Sequence, residues 1–269
     1  MTAGYLPDFE LLWIEGRPIT LFSQRSTALL RPSRLNAARA SAANAAAELL
    51  GIGDTVEVGL SRLDVTATVR FDRQADGQAF LSALASVDVP RRKHATHYSH
   101  GRIETVSFVT ERGAIRERAY DKGLESGTAE PSTTIRLEAQ TRHPKATRTT
   151  TDWWTPERAH ELFQQRVKPM TASATGLLVG SENVVREQLA SFVREGTITS
   201  RRAQTLIGHV GAVQAGIPIP RPTYYRHRAE LRRLGLAMAL DGITDGHDVA
   251  VDVGATLENM AAAGAWLSH

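Results

Sequence analysis

Three stretches of the chain alternate apolar and polar residues: Arg62 to Val69, Ile115 to Lys122 and Thr134 to Gln140. A strand points successive side chains to opposite faces. In the first stretch Leu63, Val65, Ala67 and Val69 share one side, and Arg62, Asp64, Thr66 and Thr68 the other. In the second, Ile115 and Ala119 mark the apolar side, which puts Arg118, Tyr120 and Lys122 on the polar one. In the third, Ile135, Leu137 and Ala139 face a core, and Arg136 and Glu138 face away from it. Joined in one sheet, these strands give it a polar face with two carboxylates, a phenol and several cations.

Helical patterns surround these strands. Phe9 to Glu15 and Pro18 to Ser23 predict a hairpin about Gly16. Ser33 is placed to cap a helix through the alanine-rich stretch to Leu50, with Gly51 as its stop. Thr55 to Phe71 predicts a long strand, and Gln74 to Val87 a helix that buries Phe80, Leu81 and Leu84. A strand follows over Ile103 to Val109, and Thr155-Pro156 opens a helix to Gln165. The expected class is α+β, an antiparallel-rich central sheet with flanking helices. Thr171 to Gly176 is rich in small and hydroxyl residues and predicts a linker, dividing the chain into residues 1–170 and 171–269.

The second part has a helical texture. Ser181 to Arg194, Ser200 to Ala215 and Thr223 to Leu234, the last closed by Gly235, predict a helix-turn-helix or winged-helix unit. Ala250 to Val253 is the expected strand of a wing, and Ala255 to Trp266 a final helix. The third helix sets Arg226, Arg228, Arg232 and Arg233 against Glu230 alone, with Tyr224, Leu231 and Leu234 packing inward. Arg221, Tyr225, Arg226, Arg228, Arg232 and Arg233 are therefore the candidate DNA contacts of this helix, with Arg136 added on the sheet. From Asp241 to His269 there are five acidic residues and no lysine or arginine, so this tail is not expected to grip DNA.

Composition narrows the picture only a little. A chain of 269 residues has room for one large domain or two ordinary ones. Hydrophobic residues at 42% and charged residues at 23% describe an ordinary water-soluble globular protein. The net charge is +3 with a pI near 9.4, the mark of an arginine-rich chain, and arginine's planar fork suits phosphate. Cysteine is absent, which excludes disulfides and thiolate metal sites and fits a reducing cytoplasm. No apolar run approaches the roughly 20 residues that span a bilayer. The start, Met1 to Pro7, lacks the pattern of a signal peptide, so no membrane partner is expected.

Each candidate residue also has a plainer use. Arg-x-Asp or Arg-x-Glu in a strand is commonly a solvated ion pair, a strand tyrosine a packing partner, and an arginine-rich helix a solvated face. His94, His97 and His100 invite a metal. Their spacing of three, however, puts neighbours on opposite faces of a strand, and Pro90 with Arg91-Arg92-Lys93 predicts a loop. What distinguishes the chain is the order of the polar-face motifs ahead of a helix-turn-helix.

That order resembles the rolling-circle replication initiators, in particular the gene II proteins of filamentous phages and the related Rep proteins of small plasmids. The likeness lies in Arg-Leu-Asp-Val-Thr from Arg62, Tyr-Asp-Lys-Gly-Leu-Glu from Tyr120 to Glu125, and Ile-Arg-Leu-Glu from Ile135 to Glu138. It covers residues 55 to 145, is most specific at Tyr-x-Lys-Gly-x-Glu and Arg-x-Glu, and leaves out the C-terminal helices. The resemblance implies that Tyr120 is a nucleophile and that Asp64 and Glu138 belong to a metal centre for Mg²⁺ or Mn²⁺. This chain lacks the His-hydrophobic-His pair of many such nickases, so the carboxylate form of the site is the one implied.

The implied chemistry is a nick in origin DNA that leaves a covalent 5′-phosphotyrosine and a free 3′-hydroxyl as primer. Arg118 and Lys122 are expected to favour the phenolate, and a metal more strongly. Arg136 and Arg62 either neutralise the transferring phosphate or pair with the carboxylates. Expected partners are origin DNA, double- and single-stranded, host helicase and polymerase, and a second copy in a homodimer. Two alternatives stand beside this reading. One is a non-enzymatic helix-turn-helix regulator in which Tyr120 is dispensable; the other is a relaxase for an integrative element with the same nicking chemistry. If nicking survives the loss of the Tyr120 hydroxyl, Tyr98 is the substitute nucleophile.

Overall fold

In the computed structural model the alternating stretches form one sheet. It describes residues 2–6, 11–15, 62–111, 116–142, 156–238, 248–263 and 266–267, with positions 37, 40, 41, 44, 47, 48 and 51. The strands are β1 (Thr2–Leu6), β2 (Leu11–Glu15), β3 (Arg62–Arg70), β4 (Lys93–Ser99), β5 (Arg102–Val109), β6 (Arg116–Asp121), β7 (Thr134–Arg142), β8 (Leu178–Gly180), β9 (Leu236–Met238), β10 (Ala250–Asp252) and β11 (Trp266–Leu267). The helices are α1 (Gln74–Leu84), α2 (Lys122–Glu125), α3 (Pro156–Ala174), α4 (Glu182–Arg194), α5 (Ser200–Gln214), α6 (Arg221–Arg233) and α7 (Val253–Ala262). The main sheet runs β11-β3-β7-β6-β5-β4, antiparallel throughout, so the expected α+β class holds.

The apolar face of that sheet lies under helices. Val65, Ala67, Leu137, Ala139, Ala119, Val106 and Phe108 are buried in one core with Phe80, Leu81 and Leu84 of α1. α1 is buried almost all round because it is caught between the main sheet and a smaller one, β10-β8-β9. α3 and α7 pack on each other and on β3. The same core takes in Phe163, Met170, Ala174, Val179, Val251 and Leu257, residues on both sides of position 170. A separate cluster of Val185, Leu189, Leu206, Val210, Leu231 and Leu236 joins α4, α5, α6 and β9.

Several elements differ from the sequence reading. β2 pairs with the preceding Thr2–Leu6, while Pro18 to Ser23 lies outside the described residues. The described positions of the alanine-rich stretch are helical, and Gly51 has a φ of +63°. The stretch read as a linker is mostly the last turn of α3, held helical because Met170 and Ala174 are buried; Gly176, at φ +69°, follows it. Of the basic run, Pro90 to Arg92 form the expected loop, while Lys93 opens β4, the outermost strand of the sheet. β4 turns into β5 through His100 and Gly101, at φ +49° and +74°, the paired left-handed conformations that a type I′ hairpin needs.

The C-terminal strands are not a wing hairpin. β9 runs parallel to β8 and β10 antiparallel to it, so the two flank β8 rather than pair with each other. α5 is capped by Thr199, whose hydroxyl accepts from the Arg202 amide, and Ser200 is its first residue. α7 ends at Ala262, short of Trp266, which instead adds to the edge of β3 opposite Thr66. Among the described residues no helix is long and apolar enough to cross a membrane.

Candidate functional site on the polar face of the sheet

Strand register assembles the polar face in rows. One row is His97, Thr105, Tyr120, Arg136 and Thr68, reading from β4 to β3. The next is Ala95, Ser107, Arg118, Glu138 and Thr66, and a third ends in Arg116, Gln140 and Asp64. Tyr120, Arg118, Arg136, Glu138 and Asp64 are therefore on one face of three adjacent strands, as their sequence spacing requires. Asp64 and Glu138 occupy diagonal positions on β3 and β7, two register positions apart on the same face. The side chain of Arg62 lies outside what is described.

Glu138 is the hub. Arg118 grips it as a fork, Nε donating to Oε1 at 2.9 Å and Nη2 to Oε2 at 3.0 Å. The Tyr120 hydroxyl also donates to Oε2, at 3.3 Å. Arg118 lies over the Tyr120 ring, its guanidinium carbon 5.1 Å from the centroid. Most of the cluster is shut off from water: Asp64 is 0% exposed, Glu138 2%, Tyr120 3% and Arg136 7%, while the Arg118 side chain keeps 33% of its surface open.

This burial reverses one expectation. Arg118 and Lys122 were to favour the phenolate, yet the Tyr120 phenol is pushed up to about 12. Burial is the main cause and the Glu138 carboxylate adds to it, while Arg136 and Arg118 pull the other way and lose. Lys122 contributes little because β6 ends at Asp121 and Lys122 opens α2. Its ammonium donates to Glu125 at 2.6 Å and lies 5.9 Å from the Tyr120 ring centroid.

Asp121 makes that break. Its Oδ1 accepts from the amides of Gly123, Leu124 and Ser132, at 2.9, 3.2 and 2.9 Å, so a strand end becomes a helix cap one residue after Tyr120. Gln78 of α1 supports it from behind. Its Nε2 donates to Asp121 Oδ2 at 3.2 Å and to the Ile103 carbonyl at 3.0 Å, and its Oε1 accepts the Ile103 amide at 3.0 Å. The Gln78 amide thus stands in for a strand neighbour where β5 runs past the end of β6. The sequence reading missed both residues; an aspartate two positions before a glycine at a strand end was the available signal.

The donor set for a metal is narrow. Among the described residues no three histidine or acidic side chains converge as ligands. Asp64 and Glu138 supply hard carboxylate oxygens on one buried face, which suits Mg²⁺ or Mn²⁺. Glu138 has to give up the Arg118 fork to serve as a ligand. His94 and His97 fall in different rows and on opposite faces of β4, and His100 is in the turn, so the three do not gather.

The second set of candidates lies on α6. Arg221, Tyr225, Arg226, Arg228 and Arg233 are exposed, Tyr225 by 61%. Glu230 does not offset them, because Arg202 of α5 grips it as a fork. Arg232 departs from the group. It is half-buried and its pKa is lowered, by burial first and Arg228 next, against the opposing pull of Asp88.

The class defined by these features is an α+β protein with a buried Tyr–Glu–Arg cluster and a basic helical unit. The chain matches no family model, no curated protein and no solved structure at a significant level.

Proposed function

We propose that the chain nicks one DNA strand at an origin and links itself to the 5′-phosphate through Tyr120, in the manner of the rolling-circle initiators its motifs resemble. The observation that carries this reading is the Tyr120 hydroxyl seated on Glu138, with Arg118 and Arg136 beside it on the middle strands. The phenol oxygen forms a bond to phosphorus as its proton leaves toward Glu138, its hydrogen-bond acceptor. The bond from phosphorus to the 3′-oxygen breaks, and that oxygen takes up a proton to become the primer hydroxyl. Arg118 and Arg136 neutralise charge on the phosphoryl oxygens. Asp64 and Glu138 would hold Mg²⁺ or Mn²⁺, which when bound supplies further positive charge at the phosphate. Since Tyr120 is 3% exposed, the face has to open for DNA to reach it.

Incubation with supercoiled origin DNA and Mn²⁺ tests the reading. A nicked circle carrying covalently bound protein is expected, and it should disappear in EDTA. Nicking that persists in EDTA removes the metal from the proposal, and intact circles in every condition remove the chemistry.

The burial of Tyr120 and its raised phenol favour a second reading, a DNA-binding regulator that performs no chemistry. Both readings use α6. Replacing Arg226 and Arg228 by alanine is expected to weaken origin-duplex binding and flatten its sequence preference, since an arginine reading guanine contributes roughly 1–3 kcal/mol of discrimination. Cleavage of a short single-stranded oligonucleotide should survive the same change if the sheet site works on its own. Equal loss of both in gel-shift and cleavage assays would show that helix and sheet act as one.

A further inference from the structure

Between α5 and α6 two imidazoles meet. His209 and His227 are both 6% exposed, with ring centroids 4.8 Å apart and planes at 80°. The Tyr224 ring closes on His209 at 5.8 Å. Nδ1 of each histidine is shut off from water without a hydrogen-bond partner. The charged groups around the pair are Arg202 on α5 and Arg226 and Glu230 on α6, and Glu230 is already held by the Arg202 fork. From α4, Glu182 approaches α5 at Gly211 and is engaged by Arg186. β9 presents apolar Leu236 to α6, and Asp88 acts at the far end of α6, on Arg232. A proton on either ring would enter a site holding a second imidazole and two arginines, with the Glu230 carboxylate already held by Arg202.

We propose that the His209–His227 contact is a proton-sensitive latch, holding α6 against α5 while both rings are neutral and releasing it when either is charged. The direction follows from linkage. Burial lowers the His209 pKa, with the His227 charge adding to it; burial also lowers that of His227, with Arg202 and Arg226 adding to it. A histidine lowered on folding stabilises the fold above its ordinary value of about 6.5 and gives up that contribution as pH falls. The latch needs no assumption about what α6 binds.

Hydrogen–deuterium exchange on the full chain, corrected for intrinsic rates, reads it out. Between about pH 7.5 and about pH 5.5 the amides of α6 should lose roughly tenfold or more of their protection, while those of α1 keep theirs. A His209→Gln/His227→Gln variant should show the same α6 protection at both pH values. Unchanged protection in the natural chain, or an equal acid loss in the folded variant, would overturn the proposal. Should the variant fail to fold, NMR titration of the natural imidazoles decides. Both rings titrating below the ordinary value, together with the loss of protection, supports the latch, and titration at or above that value rejects it.

Discussion

Tyr120→Phe is expected to abolish the protein-linked nick while leaving the fold and the affinity for duplex DNA near those of the natural chain. Only one oxygen is removed, and its hydrogen bond to Glu138 contributes about 1 kcal/mol. The ring, over which Arg118 lies, stays in place. The change also has a signature that does not depend on DNA. With its phenol at about 12 in the fold, against an ordinary value near 10, Tyr120 binds its proton more tightly folded than unfolded. Its contribution to stability is therefore full below about pH 10 and is lost as pH rises toward 12. The phenylalanine variant should lack that share of the alkaline loss in urea unfolding. A variant that still forms the covalent product would clear Tyr120 of the chemistry and turn attention to Tyr98, which is 62% exposed on β4.

The second large effect is expected at the ion pair beneath it. Arg118→Met removes the fork from a carboxylate that is 2% exposed. Breaking a fully buried pair costs roughly 3–5 kcal/mol; the Arg118 side chain is 33% exposed, so about 2–4 kcal/mol is the expected loss. Pairing the change with Glu138→Leu should recover most of it, because the Glu138 carboxylate is then no longer buried without its fork. Urea unfolding of the two single variants and the double one gives the coupling directly. A double variant as unstable as the sum of its parts would mean that Glu138 matters through other contacts.

Alternation of side chains was enough to bring Asp64, Arg118, Tyr120, Arg136 and Glu138 to one face, because the strand period is two and the register kept it. It could not tell that Asp64, Tyr120, Arg136 and Glu138 on this face are shut off from water, since alternation reports sides and not cover. Nor could it place Lys122: a strand pattern runs smoothly through Asp121, and only the cap made by that carboxylate turns the chain away. β4 went unread because its residues are mostly exposed on both faces, so no hydrophobic alternation marks it. The end of α3 was misread for the opposite reason. Its small residues look like a linker by composition, and tertiary burial of Met170 and Ala174 overrides that. On α6 the arginine count was legible, but which arginine turns back toward Asp88 was a matter of packing.

The two-residue strand β11 has an effect out of proportion to its length. By pairing with Thr66 and Val65 it covers part of one rim of the main sheet. Copies of a sheet bare along both rims can stack rim to rim without limit, and such an open series ends in fibres. Here the other rim, β4, carries Lys93, His94 and His97, an irregular register at His97/Tyr98 and a tight turn. Neither rim therefore offers a long, flat strand for another copy to pair with: β11 interrupts the outer edge of β3, and charge, irregular register and the turn blunt β4.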